Sequence, residues 1–326
     1  MELSLVIPVW NDQEGLDRLL RQVDHLGVFS DIVIVDDASE PKIGLPALPG
    51  LAERITLLRC DTQRGAGHAR NLGLQHVRGS HVIFFDSDDL FGMDFLRIID
   101  LAREATAAED DFDFLIFRHD DSRITSTGAS GSFPAEERLW QSVGASDALA
   151  PLAPEHAAVL CSLSAYPWNK IYSTNFLRAH DIRCTETMVH NDIELHWSSF
   201  IAAKRILHSV LIGAEHFVIQ DGNRLTNRRS AERLEVFRTF ANVLTRLKAR
   251  SDIGTLEFLV PFMRFAQGLM GWVQNNIDED HHQSLQDKAR EFCLSQISRE
   301  DMTLIAYRDP ALARRLLNVI LKGKLS

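Results

Sequence analysis

The chain has 326 residues, of which 45% are hydrophobic and 25% are charged. This is the balance of a globular protein larger than one average domain, and it excludes a disordered or collagen-like chain. Lys and Arg number 35 against 45 Asp and Glu, which gives a net charge of −10 and argues against a nucleic acid partner.

Neither a membrane-spanning helix nor a secretory leader is predicted. The sequence contains no apolar run long enough to cross a bilayer. Its start, MELSLVIPVWNDQEG, lacks a basic segment and soon meets acidic residues, unlike a signal peptide. The four cysteines are scattered without a C-x-x-C pair, as expected of free thiols in a reducing compartment. We therefore expect a cytoplasmic protein.

The first 120 residues alternate between short apolar runs and helical patterns. The runs are nearly continuous, as in strands buried on both faces: Leu3–Val9, Ile32–Val35, Ile55–Leu58, His81–Phe85 and Phe114–Phe117. The first helix is expected to start with a capping box from Asn11 to Glu14 and to end at Gly27. Further helices are expected at residues 67–77 and 93–108. This order predicts an α/β fold with a doubly wound, mostly parallel sheet.

The rest of the sequence is less regular. Residues 122–133 are small and polar and predict a loop. A helical pattern at 192–203 is followed by a β-rich segment at 209–220, and the last third is mainly helical. Breaks in the helical part are expected at four residues: Gly254, Pro261, Gly271 and Pro310. We therefore predict an α/β domain over residues 1–222 and a mainly helical region over residues 223–326.

Three carboxylates follow the fourth predicted strand, in the sequence Asp86-Ser87-Asp88-Asp89. Like charges this close destabilise a fold unless something neutralises them. A divalent cation that prefers hard oxygen ligands, Mg²⁺ or Mn²⁺, can do so. Ligands of open α/β sheets bind outside the carboxyl ends of the strands, where this cluster falls. The sequence predicts a cation site here; the alternative is a helix N-cap, a position that suits Asp89.

Two further motifs follow predicted strands. The carboxylates of Asp36-Asp37 could accept a nucleobase N–H or a ribose hydroxyl, or could instead form a turn. The segment QRGAGHARN, residues 63–71, precedes a helix; its glycines permit close backbone approach and its arginines attract anions. It is neither G-x-x-x-x-G-K-[ST] nor G-x-G-x-x-G, which disfavours a P-loop kinase and a standard dinucleotide site. The alternative is a simple loop with Arg70 in solvent.

Taken in order, these motifs resemble those of the family 2 glycosyltransferases, which have the GT-A fold. VIPVWN is similar to that family's VIPVYN, VDDAS to VDDGS, GAGHARNLGL to G-x-S-x-A-R-N-x-G-x, and FFDSDD to F-x-D-S-D-D. PWNKIY at residues 167–172, followed by Phe176-Leu177, resembles the W-N-K-L-Y…F-L segment of bacterial polysaccharide transferases. The likeness covers roughly residues 1–220, and the helical C-terminal third carries no such signature.

The resemblance implies a nucleotide-sugar site with a Mn²⁺ or Mg²⁺ ion. Asp37 would bind the nucleobase, and Asp86 would lie near the ribose and the metal. Asp88 would be the chief metal ligand, while either Arg64 or Arg70 would hold the nucleotide. Uracil is the commonest base in such enzymes. The residues expected to contact the nucleotide sugar are Pro8, Val9, Trp10, Asp37, Arg64, Arg70 and Asp86.

The resemblance places the catalytic base at Asp192. An acceptor hydroxyl would attack the anomeric carbon in a single displacement, so the base must lie opposite the leaving diphosphate and the carbon is inverted. A partly buried carboxylate with a modestly raised pKa suits this step. The family's usual Glu before this Asp is Asn191 here, which keeps a hydrogen-bond acceptor but loses the charge. The alternative interpretation of Asp192 is a helix N-cap.

Trp168 and Lys170 are candidates for contact with the acceptor or donor sugar. Trp168 would offer a flat face to a pyranose ring, and Lys170 would meet phosphate. The alternative for Trp168 is a place in the core at a helix start.

Basic residues are concentrated in the C-terminal third, at Arg224, Arg228, Arg229, Arg233, Arg238, Arg246, Lys248 and Arg250 and at Arg314, Arg315, Lys322 and Lys324. One hypothesis is peripheral contact with an anionic membrane, where lipid-linked acceptors reside. The alternative is solvated helix faces or a homodimer contact. A separate hypothesis is that Arg228 or Arg229 approaches the diphosphate.

The function predicted from these residues is an inverting, metal-dependent glycosyltransferase in surface polysaccharide synthesis. It would move a sugar from a nucleotide-sugar donor to a glycan or lipid-linked acceptor. A sugar-nucleotide pyrophosphorylase is a rival, but its G-x-G-T-R-like loop near the first strand is missing. A non-catalytic nucleotide- or glycan-binding module on the same scaffold is a second rival, to which Asn191 gives some weight.

Overall fold

The structure is a computed structural model that describes residues 1–108, 111–218, 229–249 and 253–325, with the side chains of 253–255 left undescribed. The predicted domain boundary at 222/223 lies outside the described residues, as do Arg224, Arg228 and Arg250. The hypothesis about Arg228 and the diphosphate is therefore not addressed by the structure.

The described residues contain nine strands and thirteen α-helices. The strands are β1 (Leu3–Val9), β2 (Phe29–Asp36), β3 (Ile55–Arg59), β4 (His81–Phe84), β5 (Leu90–Phe91), β6 (Phe114–Asp121), β7 (Ala150–Pro151), β8 (Lys170–Ser173) and β9 (Ile206–His216). The first eight helices are α1 (Gln13–Leu26), α2 (Ala66–His76), α3 (Phe95–Ala107), α4 (Ser122–Thr125), α5 (Pro134–Ser142), α6 (Pro154–Leu160), α7 (Thr174–Ala179) and α8 (Ile193–Ala202). The C-terminal helices are α9 (Val236–Lys248), α10 (Ile253–Asn276), α11 (His282–Gln296), α12 (Arg299–Arg308) and α13 (Pro310–Lys322).

The strands form one sheet in the order β3-β2-β1-β4-β8-β6-β9-β5, with β7 added against β9. The pairs among β3, β2, β1 and β4 are parallel, as is β6 with β9. Strand β8 runs antiparallel between β4 and β6, and β5 and β7 are antiparallel to β9. The predicted α/β fold with a mostly parallel central sheet is confirmed, with antiparallel strands added in its second half.

Strands β1 and β4 stop pairing before the carboxyl end of β1. Strand β1 pairs with β4 from Leu3 only as far as Val6, whereas its pairing with β2 continues to Val9. Pro8 lies beyond the last pair with β4, where its missing N–H costs no ladder bond. Strand β2, which follows β1 in the chain, lies on one side of this pair, and all the strands that follow β4 lie on the other side, so the strand order reverses here. This is the topological switch point at which such sheets bind ligands.

The two faces of the sheet are covered by separate hydrophobic clusters. One contains side chains from α1 and α3, such as Leu16, Leu20 and Ile98, packed on β1 and β2. The other contains α2, α7, α8 and the C-terminal helices. Continuous apolar strands are therefore buried on both sides, as their sequence predicts.

The C-terminal helices are packed on the sheet domain through α8. The indole of Trp197 in α8 is buried and lies 5.0 Å from Phe262 and 5.5 Å from Phe265 of α10, measured between ring centroids. Phe240 of α9 lies 6.0 Å from Phe262. The same hydrophobic cluster therefore runs from the sheet into the helical region. The division into two domains stays a prediction.

Three local predictions need correction. Asp12, not Asn11, is the N-cap of α1, because its Oδ1 accepts from the N–H of Gly15 at 3.1 Å while Asn11 adopts a φ of 52°. Helix α10 continues through Pro261, where buried neighbours such as Phe262 and Met263 outweigh one lost hydrogen bond. It also continues through Gly271.

The predicted polar loop at 122–133 begins with the short helix α4. By contrast, Gly27 ends α1 in the left-handed region and Pro310 begins α13, as predicted. No helix in the described part of the chain is long and apolar enough to cross a membrane.

Candidate functional site

The buried guanidinium of Arg70 joins three segments of the site. Arg70 lies in the first turns of α2 and is 4% exposed. Its Nη2 donates to Oδ1 of Asp86 at 2.5 Å, and its Nη1 donates to Oδ1 of Asn191 at 2.6 Å. Burial lowers the pKa of Arg70, but the charges of Asp86 and Asp192 and the hydrogen bond to Asp86 act with its other neighbours to raise it overall, so the group stays protonated. The alternative in which Arg70 lies in solvent is therefore excluded.

The acidic cluster after β4 is neutralised in part by protein cations. Asp86 is paired with Arg70, and the buried Asp89 accepts from Nδ1 of His216 and from the N–H of Phe217, both at 2.9 Å. Burial lowers the pKa of His216, but the hydrogen bond to Asp89 and the negative charges of Asp89, Asp121 and Asp88 together raise it overall. Asp89 is not the N-cap of α3, a position that Asp94 occupies instead.

Asp86 and Asp88 are the partly exposed carboxylates of this cluster. They are two residues apart at the carboxyl end of β4, so hard oxygen donors are available for Mg²⁺ or Mn²⁺. Among the described residues, no group of three His, Cys, Asp or Glu side chains is arranged to hold an ion. Two carboxylates would leave other coordination positions of such a cation to ligands such as phosphate oxygens.

The glycine-rich segment packs against the chain that leads to Asp192. A Cβ added at Gly67 would lie 2.3 Å from the carbonyl oxygen of Thr185, and one at Gly65 would lie 2.8 Å from that of Thr187. Gly65 also has a φ of +88°, which non-glycine residues rarely adopt. The close approach expected of these glycines is therefore made to protein backbone.

The carboxylate of Asp37 holds the same segment from the other side. It accepts from the N–H of Arg64 at 2.9 Å and from the N–H of Gly65 at 2.7 Å, and Asp37 is 2% exposed. Its contact with a nucleobase stays a prediction, and the structure adds a positioning role in the loop. The side chain of Arg64 is 51% exposed and pairs with Glu186 at 2.7 Å. Of the two candidate arginines, Arg64 reaches solvent and Arg70 does not.

The predicted base pocket lies at the end of β1. Pro8 and Val9 are buried in the strand, and Trp10 is half-buried just beyond it. The carbonyl of Val9 accepts from the N–H of Asp37 at 2.9 Å, so the predicted pocket residues share one strand edge. Contact of this group with a base stays a prediction.

Asp192 stands at the start of α8 without capping it. It occupies the N-cap position, but its side chain makes no capping hydrogen bond. The residue is half-buried. Burial raises the pKa of its carboxyl group, Arg70 lowers it and Asp86 raises it again, with a net increase over the ordinary value. The N-cap interpretation is therefore not supported, and the carboxylate has the raised pKa expected of a base.

The sugar contacts predicted for Trp168 and Lys170 are not supported by their placement. Trp168 is 1% exposed and stacks on Tyr166 at 4.5 Å between ring centroids. Lys170 is fully buried, and its Nζ donates to the carbonyl of Tyr166 at 2.7 Å and to Oδ1 of Asn169 at 2.6 Å. Burial lowers the pKa of Lys170 to about 7. The core interpretation of Trp168 agrees with this structure.

Sequence reasoning missed two partners in the site. The first is Asn191, which accepts a hydrogen bond from Arg70, a residue 121 positions earlier in the sequence. The second is His216, which pairs with Asp89 although the two residues are 127 positions apart in the sequence. His216 ends a β-rich segment, so its place at the carboxyl end of β9 was the available signal. The pairing itself depends on strand order, which the sequence pattern does not encode.

Comparison with known proteins shows which family and which folds this chain resembles. Residues 4–142 match the family model described as "Glycosyl transferase family 2". The chain is 31% identical over 111 residues to the succinoglycan biosynthesis protein ExoO of Rhizobium meliloti, over 33% of this chain and 31% of that protein. It is 32% identical over 93 residues to an undecaprenyl-phosphate 4-deoxy-4-formamido-L-arabinose transferase of Edwardsiella ictaluri, over 26% of this chain and 29% of that protein. The matches thus span about a third of these relatives.

Among solved structures, S. aureus TarS 1-349 is similar over 100% of this chain and 89% of its own length, with a TM-score of 0.72 and 15% identity. The same protein in complex with UDP-GlcNAc has a TM-score of 0.73, again at 15% identity, over 100% of this chain and 90% of its own. At this identity the likeness shows a shared fold, and it includes the C-terminal helices.

Substitution of Gly67 by Ala tests the contact between the glycine-rich segment and Thr185. The added methyl group meets a backbone carbonyl that cannot rotate away, so we expect a loss of about 1–3 kcal/mol in the free energy of unfolding. The control is Gly268→Ala in α10, where nothing lies within 4 Å of the added carbon. That substitution should be neutral or stabilising by up to about 1 kcal/mol. Equal urea-unfolding midpoints for the two variants would contradict the packing described here.

Proposed function

We propose, from the premise that this chain carries a family 2 glycosyltransferase domain over residues 4–142, that it transfers a sugar from a nucleotide sugar to a hydroxyl acceptor with inversion. The observation that carries the proposal is the convergence of Asp86, Arg70 and Asp192 at the switch point of the sheet. Strand ends at that point are where open α/β sheets bind their ligands.

The donor is proposed to be a nucleoside diphosphate sugar, with UDP as the nucleotide. The crystal structure of TarS with UDP-GlcNAc supports this class, because that protein shares the fold of the whole chain. The base would lie at Pro8, Val9 and Trp10, and the diphosphate would extend toward Asp86 and Asp88. The transferred sugar is proposed to be a hexosyl group.

Asp192 is proposed to remove the proton of the attacking hydroxyl. Its carboxylate has a raised pKa yet lies near Arg70, which limits the increase. A base of this kind is ionised at neutral pH and still gains a proton readily as the bond to the sugar forms. Because attack and departure occur on opposite faces of the anomeric carbon, the product is inverted.

Asn191 supports Asp192 without adding a second charge. Its amide oxygen accepts from Arg70, so it orients the guanidinium that lies between Asp86 and Asp192. Asn191 can therefore orient its neighbours as the family's usual Glu would, although it does not carry that residue's charge. The presence of Asp86, Asp88 and Asp192 favours an enzyme over a non-catalytic binding module.

A divalent cation, Mn²⁺ or Mg²⁺, held by Asp86 and Asp88 would offset the negative charge of the departing diphosphate. Arg70 would keep the Asp86 carboxylate oriented toward this position through its bond at 2.5 Å. These donors agree in chemistry with the requirement of the cation for oxygen ligands.

The acceptor is proposed to be a glycan or a lipid-linked sugar in the synthesis of a surface polysaccharide. Two relatives are named for succinoglycan biosynthesis and for transfer to undecaprenyl phosphate, and they support this class. The family model matches residues 4–142, and these relatives match 33% and 26% of this chain, so the acceptor itself is a proposal.

Peripheral contact with anionic lipid, from the cytoplasmic side, is proposed for the last helix. The exposed face of α13 carries Leu317 at 43% and Leu321 at 70% exposure, next to Arg314, Lys322 and Lys324. Apolar side chains flanked by basic ones are typical of helices that lie in a bilayer interface. The homodimer remains the alternative use of this face.

Asp192→Asn separates catalysis from binding and stability. Removal of the base should lower kcat by about 10²–10⁴-fold while nucleotide affinity is retained. Because burial raises the pKa of Asp192, its ionisation destabilises the folded state above that pKa. The variant should therefore be at least as stable as the natural chain at pH 7, and the difference should shrink as the pH falls toward 4.

The matched control is Glu194→Gln on the same helix, since Gln can still accept from Thr185 and Asn242. It should change kcat by less than about tenfold, a difference of 1.4 kcal/mol. Equal losses in the two variants would contradict the assignment of Asp192. Complete absence of sugar transfer by the natural chain, with nucleotide binding intact, would favour the binding module.

Asp88→Ala tests the cation site. We expect UDP with MnCl₂ to raise the melting temperature of the natural chain, since a ligand at 100 times its Kd stabilises by about 2.7 kcal/mol. The increase should vanish with EDTA and in the variant. Asp100→Ala removes the same charge from an exposed position on α3 and should keep the increase. An unchanged response in Asp88→Ala, or no response to UDP, GDP or TDP, would contradict the proposed donor site.

Charge reversal at Lys322 and Lys324 tests the lipid contact. Each basic residue near an anionic surface contributes about 1 kcal/mol, so the double Glu variant should bind phosphatidylglycerol vesicles more than tenfold more weakly at low salt. Reversal of Arg97 and Arg103 on α3, which are 55% and 44% exposed, is the control and should change binding less. Vesicle flotation measures both. No binding by the natural chain would contradict the contact.

A further inference from the structure

Trp272 of α10 presents an aromatic surface beside the segment that ends at Asp192. The residue is 46% exposed, whereas Trp140, Trp168 and Trp197 are at most 2% exposed. Phe258 and Phe262 on the same helix are buried, at 8% and 0% exposure, so the half-exposed indole stands out among them. Apolar surface contributes to folding only when it is covered. Its surroundings indicate what would cover it.

Two contacts fix the orientation of the Trp272 ring. The guanidinium of Arg233, a residue 3% exposed, lies over the indole at 4.7 Å from the ring centroid. The imidazole of His190 stands at 86° to the indole with 6.0 Å between centroids. A cation over an indole is attracted by the negative face of the ring. The ring is therefore held in one pose while much of its surface still meets solvent.

The same contacts tie Trp272 to the catalytic segment. His190 is two residues before Asp192 and has a φ of 59°, which is uncommon outside glycine and costs backbone energy. The carbonyl of His190 accepts from Oγ1 of Thr239 at 3.4 Å, and Glu235 accepts from the N–H of Met188 at 3.1 Å. The helical region thus holds this segment while placing an indole next to it.

The side of this segment that faces the proposed donor site is already occupied by other parts of the protein. Thr185 and Thr187 contact Gly67 and Gly65, and Arg70 contacts Asn191. Trp272 lies on the α9 and α10 side instead. An acceptor must approach Asp192 from a side other than that of the diphosphate, because the base acts opposite the leaving group.

We propose that Trp272 forms a subsite for the acceptor, where the indole stacks against the C–H face of a pyranose ring. This rests on the proposed function, since it requires an acceptor at Asp192. The indole provides a flat apolar surface, and the axial hydrogens of a pyranose form the matching apolar face. The structure assigns to Trp272 the sugar contact that the sequence predicts for Trp168.

The test measures pyranose binding directly, without turnover. Saturation-transfer NMR would be recorded with the full chain and methyl glycosides of glucose, galactose, mannose and N-acetylglucosamine, in the presence of UDP and MnCl₂. At least one glycoside should bind the natural chain. In Trp272→Ala the saturation-transfer signal of that glycoside should be at least fivefold smaller. Trp272→Phe keeps an aromatic face and should retain most of the signal.

Tyr307→Ala is the matched control, because Tyr307 is an aromatic residue 82% exposed on α12. It should leave the signal unchanged. Equal binding by Trp272→Ala, or no binding of any glycoside to the natural chain, would overturn the subsite. The increase in melting temperature on addition of UDP and MnCl₂ is a separate readout. If the natural chain shows no such increase, the proposed donor is contradicted. If Trp272→Ala still shows it, this variant is folded.

Discussion

The ion pair between Arg70 and Asp86 is the interaction on which the site depends. A guanidinium that is 4% exposed must be paired, because removing one partner of a buried pair costs about 3–5 kcal/mol. Asp86 supplies the charge and Asn191 a second acceptor, so α2, the end of β4 and the start of α8 are held together. The positive charge of Arg70 also reduces the electrostatic repulsion between Asp86 and the other carboxylates of the acidic cluster.

Tertiary packing links this ion pair to the C-terminal helices. The segment before Asp192 lies between the glycines of α2 on one side and residues of α9 and α10 on the other. Small residues are needed on the first side, because a Cβ at Gly67 would meet a carbonyl oxygen at 2.3 Å. On the second side, Glu235 accepts a hydrogen bond from the N–H of Met188 and Thr239 donates one to the carbonyl of His190. The helical region is therefore part of what positions the proposed base.

The raised pKa of Asp192 shows how position and reactivity are coupled. Burial makes its carboxylate costly, yet the side chain forgoes the capping hydrogen bond that would stabilise it at a helix start. Groups held at such a cost cluster at functional sites, where stability is lower than it could be. Lys170 is a second case, since it is fully buried and burial lowers its pKa to about 7.

The sequence by itself determined most of the element order over the first 120 residues, the mostly parallel sheet and the place of the acidic cluster at a strand end, because apolar runs and their polar ends are local patterns. It did not predict the short strands β5, β7 and β8 or the helices α4 to α7. Only the tertiary structure decided which candidates reach the site. Trp168 and Lys170 are buried and Trp272 is half-exposed, since exposure depends on what packs around a side chain. Pairings such as Arg70 with Asn191 depend on strand order and helix packing across 121 positions, which no local pattern encodes.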